Sequence, residues 1–148
     1  MFDDLFQLHR FTAAQANVYP QALSELKAGQ KQGHWMWFIF PQIDGLGRSE
    51  TAQFYAVRNA EEAAAYLNHP VLGLRLIECS EAILAVDDKS AREIFGSPDD
   101  MKLCSSMTLF AAVSPTNPVF AGVIDRYFGG QPDSQTLNLL AGAAPAPQ

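Results

Sequence analysis

The segment with the most chemical potential runs His34-Trp35-Met36-Trp37-Phe38-Ile39-Phe40-Pro41-Gln42. Each of its aromatic side chains offers ~150–250 Å² of surface to bury. Polar groups border the run: Lys31 and His34 precede its first tryptophan, Gln42 follows Pro41, and Gly45-Leu46-Gly47 makes a turn just beyond. An apolar wall with a few convergent polar groups is how small-molecule pockets are built. In such a pocket Trp35 or Trp37 would stack on a planar ring while Lys31 meets a phosphate. The same composition also describes a core segment that knots helices together, with His34 a packed, hydrogen-bonded histidine, and both readings stand at this point.

A second constellation is Asp99-Asp100-Met101-Lys102-Leu103-Cys104-Ser105-Ser106-Met107-Thr108-Leu109-Phe110. On a helix begun at Pro98, Leu103, Met107 and Phe110 share a core face. Ser105 and Thr108 fall on a neighbouring stripe, and Lys102 and Ser106 on another. Hydroxyls are costly to bury unpaired, so these three need partners. Either they bond back to the preceding turn or reach solvent, or they line a polar cavity with Asp100 as a carboxylate near the helix start. At that position Asp100 also has the alternative role of capping the helix.

Helices must position both segments. Asn59 before Ala60-Glu61-Glu62 and Ser90 before Glu93 have capping spacings, and Asn117-Pro118 opens a further helix that Gly129-Gly130 ends. Ser97 is expected to cap the helix that Pro98 begins, and Asp133 the last helix, roughly to Leu140. Phe2, Leu5, Phe6 and His9 form an apolar stripe for a first helix, and Tyr19-Pro20 opens a second. Val71, Leu72, Leu74, Leu76, Ile77, Ile83 and Leu84 suggest a long buried helix after His69-Pro70. Only Trp37-Phe38-Ile39-Phe40 has the enrichment of a short strand. The pattern predicts a mainly α fold: a single domain over 1–140, seven or eight helices, at most a very small sheet, and a disordered tail over 141–148.

Composition narrows the function classes. At 148 residues the chain suits one domain, and 48% hydrophobic content suits an ordinary core. A net charge of −6 with ten scattered basic residues argues against binding polymeric nucleic acid. Cys79 and Cys104 lack the histidine spacing of a metal site and read as buried free thiols. No metal or cofactor is implied. The first residues lack the pattern of a signal peptide, and no apolar run approaches the ~20 residues that span a bilayer, so a cytoplasmic protein without a membrane partner is expected. Gly-x-Ser-x-Gly, Gly-x-Gly-x-x-Gly, P-loop and His-Glu-x-x-His motifs are absent, which disfavours the common serine hydrolases, Rossmann dehydrogenases, P-loop NTPases and zinc proteases.

From about Phe11 to Leu140 the chain resembles the bacterial family known as domain of unknown function 1810. The resemblance rests on Lys31-x-x-His34-Trp35-Met36-Trp37-Phe38-Ile39-Phe40-Pro41-Gln42, on Gly45-Leu46-Gly47, on Tyr66-Leu67-x-x-Pro70-Val71-Leu72-Gly73, and on Asp100-x-Lys102-Leu103-x-Ser105-Ser106-x-Thr108-Leu109-Phe110. A more distant likeness, through Ser90-Ala91-Arg92-Glu93, Phe95-Gly96, Asp100-x-Lys102 and Leu109-Phe110, is to the NADAR domain, which implies handling of ADP-ribose derivatives and N-glycosidic cleavage. Glu50, in Ser49-Glu50-Thr51, stands near the place of that domain's glutamate, but no histidine follows it. Together these imply a ligand site for a nucleotide-like small molecule. Its binding residues would be Lys31, His34, Trp35, Trp37, Gln42, Lys102, Ser105, Ser106 and Thr108, and its carboxylate Asp100 or Glu50. The rival is a non-enzymatic interaction domain whose aromatic segment lies in the core or at a subunit interface.

Overall fold

Capping residues mark half of the helix starts in the computed structural model, which describes residues 4–143. Asn59 accepts the Glu62 N–H at 2.9 Å and opens α5, given that the order is α1 (His9–Gln15), α2 (Tyr19–Ala28), α3 (Met36–Ile39), α4 (Glu50–Phe54) and α5 (Ala60–Asn68). The remainder are α6 (Leu72–Leu84), α7 (Ala91–Phe95), α8 (Asp99–Val113), α9 (Pro118–Phe128) and α10 (Ser134–Ala143). Ser90 and Glu93 form a reciprocal capping box at α7, and Asn117 accepts the Val119 N–H at the start of α9. These ten helices exceed the anticipated seven or eight by the short α3 and α4. Among the described residues no strand forms; Ile43 and Val57 make one isolated parallel bridge.

Three local expectations are corrected. The first helix starts at His9, where its apolar stripe was expected to end. Asp4 accepts the backbone N–H groups of Leu8 and His9 at 2.6 and 3.0 Å, which sets the boundary there, and Leu5 is left exposed in a turn. Phe2 lies outside the described residues. At α8 the Ser97 side chain makes no cap, since the helix begins at Asp99, and Asp100 instead accepts the Met101 N–H at 2.9 Å. At the other end α10 runs to Ala143, three residues into the expected tail, whose remainder lies outside the described residues.

The core lies around α8. Residues 103–110 are buried without a break, and α5, α7, α9 and α10 pack against that helix. Burying Leu103, Met107 and Phe110 completely removes three large side chains from water, at roughly 1.5–3 kcal/mol each. Next to it α5 and α6 approach so closely that a Cβ on Gly73 would sit 2.0 Å from the Leu67 carbonyl oxygen, which only glycine permits. The expected buried face of α6 is confirmed at Leu72, Leu76 and Ile83, but Leu74 points to solvent. Both cysteines are free and buried, and burial pushes the Cys79 thiol up to about 12. A thiol held protonated in this way is a poor nucleophile and packs as a small apolar group.

On the opposite side of α5 a guanidinium ties the N-terminal segment down. All five N–H directions of Arg10 are used: on the carbonyls of Phe6, Gln7, Phe54 and Ala56, and on Glu62 at 2.7 Å. The Glu62 side chain is fully buried and its other oxygen accepts the Arg58 N–H at 3.0 Å. Removing Arg10 would strand a buried carboxylate. Arg10→Met should therefore cost about 3–5 kcal/mol in urea unfolding. Adding Glu62→Leu should restore much of that loss, because the penalty belongs to the unpaired charge.

Candidate functional site

The aromatic run is one turn of helix, and this decides which rings can meet a ligand. The Trp35 carbonyl accepts N–H groups from Phe38 and Ile39, and Met36 accepts from Phe40, so α3 replaces the expected strand over Trp37–Phe40. Alternation would have sent every second residue inward. Helical spacing instead buries Trp35, Met36, Ile39 and Phe40 and leaves Trp37 and Phe38 half-buried. Gln15, a residue without a distinguishing sequence signal, holds this turn by donating to the Phe38 carbonyl at 2.7 Å and to the Tyr66 hydroxyl at 3.1 Å.

Trp37 faces a concavity of about 420 Å³. One side is Gln42, the loop Leu46–Ser49 and Ala52 of α4. The other is Pro98 with Met101, Lys102 and Ser105 from the first turns of α8, and Asp133 and Gln135 at the start of α10. The loop lies close over α4: a Cβ on Gly47 would meet the Ala52 Cβ at 2.5 Å. Behind it, the Ile43–Val57 bridge pins the backbone, with Val57 donating to the Gln42 carbonyl at 2.8 Å.

Charge at the α8 end is organised by Asp99. Its Oδ2 meets Lys31 Nζ at 2.8 Å and its Oδ1 meets Lys102 Nζ at 3.2 Å. Burial would raise the Asp99 carboxyl, but the hydrogen bonds and charges of Lys31 and Lys102 outweigh it and hold the group below its ordinary value. Lys102 also lies 5.2 Å from the centre of the Trp37 ring. Lys31 is fully committed: it donates to the Gly33 carbonyl at 2.6 Å, pairs with Asp99 and lies 5.0 Å from the Trp35 ring.

Glu25 of α2 anchors the start of the run. Its Oε1 accepts the Trp35 indole Nε1–H at 2.8 Å and the backbone N–H groups of Gln32 and Gly33 at 2.9 and 3.0 Å, while Oε2 accepts from Gln21. Burial pushes this carboxyl up, but the four donors prevail and hold it at about 2.

The structure thus brings Trp37, Gln42, Lys102 and Ser105 to one cleft and places the other candidates elsewhere. Trp35 is buried with its N–H engaged; His34 and Glu50 are exposed and off the cleft. Lys31 supports the cleft from behind Asp99. Asp100 stays on its own helix start and does not line the cavity. Thr108 accepts the Asp133 N–H at 2.9 Å, joining α8 to α10. Ser106 is buried and its hydroxyl is without a partner among the described residues. Ser105 does both things expected of a helix serine, bonding back to the Met101 carbonyl at 3.2 Å and reaching Asp133 at 3.3 Å.

Sequence reasoning missed Arg48 and Asp133 as lining residues. Arg48 follows the glycine turn directly, which was its only signal. Asp133 is also the expected cap of α10: its Oδ2 accepts the Thr136 N–H at 3.0 Å and the Thr136 hydroxyl at 2.5 Å. A smaller, more apolar concavity of about 250 Å³ lies between the Asp4–Leu8 segment and Ala65–Pro70. It carries Asp4 and His69 but no lysine or arginine, whereas the Trp37 cleft carries Lys102 and Arg48 together with Asp133. Among the described residues no group of three His, Cys, Asp or Glu could hold a metal, and no helix is long and apolar enough to cross a membrane.

Residues 5–140 match the profile of a family described as "Protein of unknown function (DUF1810)". The chain is also similar to the crystal structure of a conserved hypothetical protein from Mycobacterium tuberculosis, with 52% identity and a TM-score of 0.92, covering 93% of this chain and 99% of that one. No curated protein matches.

Two stability measurements follow from this geometry. Glu25 is lowered from an ordinary 4.5 to about 2, so its contribution is present above pH 4.5 and is lost as the pH falls through 2. Urea midpoints measured across that window should fall with acid, and Glu25→Gln should flatten the component while lowering the midpoint at neutral pH. Ser106→Ala removes an unpaired buried hydroxyl and gains helix propensity; it should leave the unfolding free energy unchanged or raise it by up to about 1 kcal/mol.

Proposed function

The chain belongs to the DUF1810 family, whose description assigns no activity, and from that premise we propose that the Trp37 cleft binds a nucleotide-like small molecule. The observation that carries this is the half-buried Trp37 ring in the wall of a cleft that also holds Lys102 and Arg48; the Lys102 ammonium, paired with Asp99, lies over the ring 5.2 Å from its centre, where an entering base would take its place and the attached phosphate would meet it. A planar ring and two cations at one cavity suit a ligand with a base to stack and a phosphate to neutralise. Gln42 and Ser105 supply hydrogen-bonding groups for a sugar between them. The ring is half-buried and already oriented, so little ordering opposes binding.

Within this proposal the NADAR likeness narrows the ligand to an ADP-ribose derivative, and a cytoplasmic setting goes with such a ligand. Hydrolysis of an N-glycosidic bond would need a carboxylate beside the developing oxocarbenium ion. Asp100 and Glu50 stand off the cleft, so Asp133 inherits that role in the hydrolytic reading. Binding requires no such group, and it is the function the geometry supports best.

Isothermal titration with adenosine monophosphate and ADP-ribose tests it. We expect saturable heat for both, and a loss of about fivefold or more in affinity in Trp37→Leu, as removal of a stacking partner worth about 1–3 kcal/mol predicts. Absence of heat up to millimolar ligand would refute the proposal and leave the aromatic run as core packing alone.

A further inference from the structure

The Trp37 cleft does not end at the loop. A second concavity of about 300 Å³ continues from it along α10, lined by Gly45, Asn138 and Leu139, and shares Leu46, Arg48 and Gln135 with the first. The two are neighbouring lobes that meet along Leu46, Arg48 and Gln135. Gly45 takes φ +108°, and a Cβ there would sit 3.0 Å from Leu139, so the loop lies directly against α10 and closes the floor of the second lobe.

Arg48 stands where the lobes meet. It is exposed, and its guanidinium makes no hydrogen bond or ion pair among the described residues. Lys31 and Lys102 share Asp99 and Arg10 spends every donor on the protein, whereas Arg48, like the exposed Arg58 and Arg92, is left free among the described residues. An uncommitted planar fork in a chain of net charge −6 is a local attractor for an anion, with phosphate as its best geometric match. Each lobe pairs an apolar surface with an amide, Trp37 with Gln42 in the first and Leu139 with Asn138 in the second.

We propose that the ligand is bipartite, with two uncharged organic ends, one per lobe, joined by a phosphate or diphosphate that Arg48 holds at the junction. This rests on the nucleotide-binding reading and extends it. A mononucleotide would fill the Trp37 lobe only, whereas a nucleoside diphosphate carrying a second organic group would fill both. Because the second end binds without a further loss of translational freedom, it adds affinity steeply.

The test compares adenosine monophosphate with diadenosine diphosphate by titration calorimetry on the full chain, on Arg48→Gln and on Asn138→Trp. Asn138 is exposed, so tryptophan there fills the second lobe without entering the core. The bipartite reading expects diadenosine diphosphate to bind roughly tenfold or more tighter than the monophosphate. Asn138→Trp should erase that advantage, and Arg48→Gln should weaken both ligands. Equal binding of the two ligands, an advantage that survives Asn138→Trp, or indifference to Arg48→Gln would each overturn it while leaving nucleotide binding intact. If neither ligand binds, both readings fall together.

Discussion

The enclosure of α8 is the constraint on which the rest of the structure depends. Successive residues of a helix turn by about 100°, so burial of residues 103–110 without interruption means that the middle of α8 is covered in every direction. Every polar group on that stretch must then find an internal partner. Ser105 uses Met101 and Asp133, Thr108 accepts from the Asp133 backbone, and Ser106 finds nothing. Solvent reaches α8 only near its ends. A ligand can therefore meet this helix through its first turns, where Met101 and Lys102 open onto the cleft.

Two carboxylates fit the aromatic segment to that helix end. Glu25 gathers the backbone of Gln32 and Gly33 with the Trp35 indole, and Asp99 draws Lys31 toward α8 while holding Lys102. Both are ionised against the pull of burial because several donors surround each. The consequence is a division of labour within one short segment: Trp35 is fixed in the core, and Trp37, two residues on and so on the other side of the turn, is presented at the cleft. Arg10 and Glu62 do comparable work on the far side of α5, in a drier setting where the pair's value lies mainly in neither group being left alone. Arg48 is the contrasting case, a cation that the fold leaves uncommitted beside the same cleft.

Much of the fold was legible in the chain because its signals are local. Asn59, Ser90 with Glu93, Asn117 with Pro118, and Asp133 each satisfy backbone groups within three residues, so their spacing alone locates the helix starts. The exceptions have local rivals of similar strength. Asp4 stops the N-terminal stripe from forming a helix by taking the amides at Leu8 and His9, and four consecutive apolar residues at Trp37–Phe40 carry no periodicity that separates strand from helix. Of the candidate site, Trp37, Gln42, Lys102 and Ser105 were identified by type and do converge; Lys31, Trp35 and Thr108 were identified by type and are consumed by the structure.

By itself, then, the aromatic run announced that it mattered without saying how. Residue types determined that the chain would be a single helical domain with its aromatic weight near His34–Gln42 and its buried hydroxyls near Ser105–Thr108. Tertiary structure decided which of those groups stay available. A single helical turn at α3 rotates Trp35 inward and Trp37 outward, Asp99 rather than Asp100 faces the lysines, and a loop after two glycines carries Arg48 to the meeting point of two cavities. The physical reason is that hydrogen-bonding capacity belongs to a side chain, but whether that capacity is already spent depends on neighbours distant in sequence.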